Sequence, residues 1–166
     1  MKGYTLIEIL VVIGIITLLT SITILYGRTS EEQLNLFRAQ AELVGVLNRA
    51  KSLSLQIFYK GGERTCAYGV HLANNNSYFL FKDLSNNCLN SNYYYDTNDE
   101  KFENDHLLPS NLEFGSLNVK DIVFVPPDPK TYFYPSSTLA SIPIQNKSGT
   151  ATVYVEVNQG GQISTK

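Results

Sequence analysis

The chain has no tryptophan, one methionine, two cysteines and two histidines. Two cysteines are too few for a disulfide scaffold or a four-cysteine zinc site. Charged residues make up only 17%, below the usual ~25%, which excludes a disordered polyelectrolyte and a charge-rich coiled coil. Thirteen basic residues face fifteen acidic ones, and the sequence pI is near 5.7. A general nucleic-acid-binding surface is therefore excluded as a default. Gly61-Gly62 lacks the Lys-Ser/Thr context of a phosphate loop. His71 and His106 stand alone, without the Cys, Ser or Asp pattern of a triad or zinc site. No enzyme constellation is present, and none of the spacings calls for a cofactor. No proline precedes Pro109. A length of 166 residues suits one compact domain plus an appendage.

The mean hydropathy of −0.09 averages two very different parts. From Ile9 to Leu25 there is no charged residue. Extended to Tyr4 and Tyr26 the run has 23 residues and one charge, Glu8. As a helix it would be roughly 34 Å long, enough to cross a bilayer. Its Ser and Thr hydroxyls can bond carbonyls of their own helix. The run is longer than the apolar part of a cleaved secretory signal and lacks a small-residue cleavage site at its far end. An ionised carboxylate in hydrocarbon costs several kcal/mol, so Glu8 either snorkels to the interface or awaits a cation. No Lys or Arg lies between Lys2 and Arg28, so a cation would come from a terminal amine or another chain.

Thr29-Ser30-Glu31-Glu32 reads either as a new N-cap or as a surface interval in one continuous helix. From Leu34 to Phe58 the pattern is helical. Leu36, Leu43, Ala50 and Ile57 recur every seven residues, joined by Leu47 and Leu53, with Glu42, Arg49, Lys51 and Gln56 off the stripe. This predicts an amphipathic helix covering a sheet and ended by Gly61-Gly62. Beyond it the period changes to two. Cys66–Leu72 and Ser77–Lys82 read as a hairpin across Asn74-Asn75-Asn76. Residues 83–111 read as a polar surface loop. Strands are expected at Val119–Val125, near Tyr132–Tyr134 and Ile142–Ile144, at Thr150–Val157 and at Gln162–Ser164, with a break at Pro126-Pro127-Asp128-Pro129. The expected class is α+β: a long N-terminal helix, half membrane and half amphipathic, on an antiparallel β-sheet head.

Lys2-Gly3-Tyr4-Thr5-Leu6-Ile7-Glu8, followed at once by the apolar run, resembles the processing motif of type IV pilins and type II secretion pseudopilins. In that family a short basic leader ends in Gly, and a prepilin peptidase cuts after it and N-methylates the new terminus. The fifth mature residue is usually Glu. The resemblance implies cleavage between Gly3 and Tyr4, a methylated Tyr4 in place of the usual Phe, and Glu8 as the fifth mature residue. It divides the chain into a leader (1–3), a transmembrane and assembly helix (4–28) and the amphipathic half plus β-rich head (29–166). Many major pilins carry Pro in the membrane segment where Leu25 stands here, so the resemblance is rather to minor pilins and pseudopilins. More diffusely, Tyr68–Leu72, Tyr78–Phe81 and Ala151–Val157 with Gly160–Ile163 look like H-type minor pseudopilins.

The implied partners are the prepilin peptidase/N-methyltransferase, other pilin or pseudopilin subunits, an assembly platform and motor, and the membrane, with no nucleic acid by default. The implied place is the cytoplasmic membrane, head outside the cytoplasm, then an extracytoplasmic filament. The freed amine of Tyr4 would be a cation able to pair with Glu8 of a neighbour. The alternative is a minor pilin acting as a tip module for DNA uptake or surface adhesion.

In the head, Cys66 and Cys88 either pair or stay thiols. Pairing would close a loop of about 23 residues, worth on the order of 3 kcal/mol. Asp83, Asn86, Asn87, Asp96, Asn98, Asp99 and Glu100 form an oxygen-rich stretch. Calcium takes such ligands, and some pseudopilins bind it, which makes Asp83, Asp96 and Asp99 weak calcium candidates. The spacing does not match an EF-hand, and a solvated loop is the other reading. Tyr93-Tyr94-Tyr95 is either a contact surface or packs that loop down.

Overall fold

The computed structural model describes residues 5–60, 65–74, 76–127 and 130–166, with the main chain alone at 23–30, 58–60 and 74. Gly61-Gly62, Asn75 and Asp128-Pro129, expected to stop a helix or break strands, lie outside the described residues. The protein is α+β, with one long helix and two antiparallel sheets. Helix α1 runs Leu6–Lys60, through Thr29-Ser30, so the continuous alternative holds and no new N-cap opens there. By its internal contacts the chain divides into Met1–Asn35 and Leu36–Lys166.

The strands are β1 (Thr65–Asn74), β2 (Ser77–Leu84), β3 (Glu100–Lys101), β4 (His106–Leu107), β5 (Leu112–Phe114), β6 (Asp121–Val125), β7 (Lys130–Tyr134), β8 (Leu139–Asn146), β9 (Thr152–Asn158) and β10 (Ile163–Thr165). The first sheet has the order β3-β2-β1-β6-β7, with β4 also on β2. The second has the order β10-β9-β8-β5. The expected hairpin is present, with Val70 opposite Leu80. The strand foreseen at Val119 begins two residues later, at Asp121.

Residues 83–111 depart from the expected loop. They contain a 3-10 turn at Cys88–Asn90 and the short strands β3 and β4, which give β2 an interrupted edge partner. Phe102 N–H donates to the Leu80 carbonyl between them. Backbone pairing to an exposed sheet edge needs no hydrophobic alternation, so composition gave no sign of it.

The period-two pattern decides the layers. Tyr68, Val70, Leu72, Tyr78, Leu80, Ile122, Phe124 and Phe133 point to the main core. There they meet Leu36, Leu43, Leu47 and Ala50 of α1, and Ile142, Ile144, Val155 and Val157 of the second sheet. Leu53 and Ile57 pack against its rim, so the seven-residue stripe is the helix face that builds the core. Buried Ser54 links the layers: its hydroxyl donates to the Phe124 carbonyl (2.6 Å) and accepts from Tyr68 N–H (3.1 Å). Gln40 Nε2 donates to the Tyr154 carbonyl (2.9 Å) and to the Lys166 carbonyl (3.3 Å), fastening α1 to β9 and to Lys166. The alternate residues Ala67, Phe79, Phe81 and Val123 form a second apolar cluster on the other side of the first sheet.

Candidate functional site

Two features carry chemistry, one in each unit. In the first, every side chain from Thr5 to Ile22 is exposed. Leu6 is 80% exposed, and the large apolar residues from Ile9 to Ile22 lie between 50% and 64%. The segment is helical because it holds no proline and its hydroxyls turn inward onto their own backbone. Thr17 Oγ1 donates to the Ile13 and Gly14 carbonyls (3.0 Å each), Thr20 Oγ1 to Ile16 (2.6 Å) and Ser21 Oγ to Leu18 (2.8 Å). These bonds leave an almost wholly apolar outer surface. Glu8 stands in the first turn of α1, where the helix N-terminus favours a carboxylate, and it has no ion-pair partner among the described residues. Gly3 and Tyr4, the expected processing residues, lie outside the described residues. Among the described residues, no helix is long and apolar enough to cross a membrane. The side chains described in the apolar half end at Ile22, short of the about 20 apolar residues a bilayer core requires.

The second feature is the segment after β2, folded onto the outer apolar cluster. Cys66 and Cys88 are joined by a disulfide, across a sequence separation of 22. The three tyrosines pack the segment down. Tyr93 stacks on Tyr132 (centroids 4.4 Å apart) and Tyr94 on Tyr134 (4.6 Å), while Tyr95 meets Phe79, Phe81 and His71. Tyr93 holds φ at +54°, a left-handed conformation costing a bulky residue about 1–2 kcal/mol. Its stacked ring and its hydroxyl bond to the Cys88 carbonyl (2.9 Å) hold it there.

The aspartates of this segment shape its backbone. Asp99 accepts from Leu84 N–H (2.8 Å) and Asp96 N–H (2.9 Å). Asp96 accepts from Asn98 N–H (2.7 Å) and from Asn92 Nδ2 (2.7 Å). Asp83, 1% exposed, accepts from the Ser91 hydroxyl at 2.6 Å. Such bonds are what Asp and Asn contribute to turns. Burial pushes the Asp83 carboxyl up to about 6; the Ser91 hydrogen bond works against the shift, and the charges of Asp99 and Asp96 add to it. Burial likewise raises Asp99. Among the described residues, no group of three or more His, Cys, Asp or Glu is placed to hold a metal ion.

Neither histidine stands alone in space, contrary to the sequence reading. His71 Nδ1 donates to Asp121 Oδ1 at 2.6 Å across the β1–β6 register, and Asp121 is 2% exposed. His106 stacks on Tyr78 (5.2 Å) and lies between Glu42 (3.2 Å) and Glu103 (3.6 Å). Glu103 in turn lies 2.6 Å from Arg49, so this group fastens α1 to the β3–β4 segment. The partners are 50 and 64 residues apart in sequence, beyond any local spacing signal.

The arrangement offers packing surfaces and braces: an exposed apolar helix with one carboxylate, and a head whose polar groups are largely committed to one another. Compared with family models, with curated proteins and with solved structures, the chain matches none.

Proposed function

We propose that this chain is a structural subunit of a type IV pilus-like filament or type II secretion pseudopilus, with a pilin-like α+β head. In this reading it is held in the cytoplasmic membrane by its N-terminal helix, head outside the cytoplasm, until a prepilin peptidase cuts after Gly3 and methylates Tyr4. The observation that carries the reading is Gly3-Tyr4-Thr5-Leu6-Ile7-Glu8 at the mouth of a helix whose apolar side chains are exposed throughout Thr5–Ile22. A surface of that extent is stable only in lipid or against other helices.

Moving the helix from lipid into a helical bundle keeps it dehydrated, so packing and charge pairing govern assembly more than new hydrophobic burial does. Glu8 supplies the pairing. Its carboxylate and the Tyr4 amine of a neighbouring subunit are each costly alone in a dry interior and much less so together. The pairing selects axial register, as a buried polar residue does in a coiled coil. The driving energy comes from a separate assembly motor, and the subunit itself acts by packing, not by catalysis.

The test is the intact mass of the chain produced with a prepilin peptidase. Loss of Met1–Gly3 together with the gain of one methyl group supports the proposal. An unprocessed chain in a competent host overturns it.

A further inference from the structure

The segment between β2 and β3 is joined to the first sheet in an unusual way. Its covalent tie runs from Cys88, on an exposed residue, to Cys66, which is 4% exposed in β1. Beyond that tie, it is held by tyrosine rings laid against Tyr132, Tyr134, Phe79 and Phe81, and by two hydrogen bonds to β2, from the Ser91 hydroxyl to Asp83 (2.6 Å) and from Leu84 N–H to Asp99 (2.8 Å). Beneath it lie the apolar residues Ala67, Phe79, Phe81 and Val123. One feature of the closed form works against closure: the left-handed backbone at Tyr93.

The main core is built separately, from α1, the inner face of the first sheet and the second sheet, and it uses none of these residues. Closure therefore depends on the bond more than the fold does.

We infer that residues 85–99 form a thiol-controlled strap, closed over the outer sheet face when Cys66 and Cys88 are joined and released when they are reduced. Closing consumes one disulfide of an oxidant of the dithiol–disulfide class. One protein thiolate attacks it, giving a mixed disulfide and one released thiol. The second protein thiolate then displaces the second thiol. The protein loses two electrons to the oxidant, and its two protons leave on the two released thiols. Opening is the reverse, with an attacking dithiol reaching the exposed Cys88 and Cys66 departing beneath the strap. The open form presents Phe79, Phe81, Val123 and Tyr132 as an apolar sheet face. The inference stands whether or not the chain is a filament subunit.

Hydrogen exchange read by mass spectrometry on the full-length chain tests it, oxidised, reduced with a phosphine, and as C66S/C88S. In both states without the bond, exchange across 85–99 should quicken on the order of 100-fold. Exchange across Leu36–Ile57, β8 and β9 should be unchanged, and an oxidised glutathione chase should restore slow exchange in the reduced protein but not in C66S/C88S. A strap that stays protected without the disulfide overturns the inference, because the tyrosine stacks would then suffice. Loss of protection across α1, β8 and β9 also overturns it, since the bond would then staple the whole head.

Discussion

Helix α1 contains two stretches with the same backbone and opposite surroundings. Thr5–Ile22 exposes every side chain, although most are apolar. Between Leu36 and Ile57, one face is buried at 0–2% at Leu36, Leu43, Leu47 and Ala50, while Glu42 and Arg49 stay outside. The second stretch has a polar face because its partners are part of the same chain and cover only one side. The first carries few polar residues and none of its described side chains is covered. Helix formation is common to both; what differs is whether the rest of the chain covers them.

The largest expected effect would break the comparison at Glu8. Glu8→Leu should leave membrane insertion intact and reduce filament number by on the order of tenfold or more, because an unpaired amine in an apolar interior costs several kcal/mol. Membrane fractionation and electron microscopy measure the two halves of that claim, and wild-type filament numbers would remove Glu8 from assembly. Next is a matched pair of truncations in the isolated chain. Leu47→Ala, at a fully buried position, should lower unfolding stability by about 2–5 kcal/mol. Leu10→Ala, 64% exposed in wild type, should stay within about 0.5 kcal/mol. Equal losses in denaturant titrations would mean that both stretches draw their cover from the same chain.

Asp83 sharpens the description of the head. Its folded-state carboxyl is raised to about 6, so the folded chain holds a proton there that the unfolded chain releases near 4. The resulting stability is present below about pH 4 and is lost as pH rises through 6. Asp83→Asn should remove that part of the slope and leave the head about 1–3 kcal/mol more stable at neutral pH. Parallel pH–stability curves for the two proteins would contradict this.

Glycines give the smaller contrasts. A Cβ at Gly69 would lie 2.7 Å from the Phe81 ring and 2.9 Å from Val123, so Gly69→Val should cost about 1–3 kcal/mol by overpacking. At Gly14 a Cβ meets nothing within 4 Å. Gly14→Ala should therefore raise helix stability by up to about 1 kcal/mol, visible as a small gain in helical circular dichroism on heating.

Much of the fold was legible because its signals are local. The seven-residue recurrence from Leu36 to Ile57 marked the core face of α1, and the alternation in Tyr68–Leu72 and Tyr78–Phe81 marked the hairpin. The inward-turned hydroxyls of Thr17, Thr20 and Ser21 also follow from residue type and spacing. The short strands β3 and β4 were not legible, since an edge strand of two residues pairs through backbone alone. Nor were the His71–Asp121 pair and the Glu42–His106–Glu103 group, whose members come from elements far apart in sequence. For Asp83, Asp96 and Asp99, composition left a weak calcium site and a solvated loop open, and the geometry has them accepting N–H and O–H groups of this segment and of β2. The three tyrosines were open between contact and packing, and the stacks on Tyr132 and Tyr134 make them packing.

By itself the sequence determined where the helix and the longer strands arise, which helix face is covered, and that the run from Ile9 to Leu25 carries no charge and follows a lone acid at Glu8. Those properties depend on neighbours within a few positions, through the helical period of 3.6 and the strand period of 2. Only the tertiary structure decided that Cys66 and Cys88 meet, that one sheet carries apolar clusters on both faces, and which carboxylates are buried. Those outcomes depend on which strands become neighbours, and that is settled by the collective packing of the core.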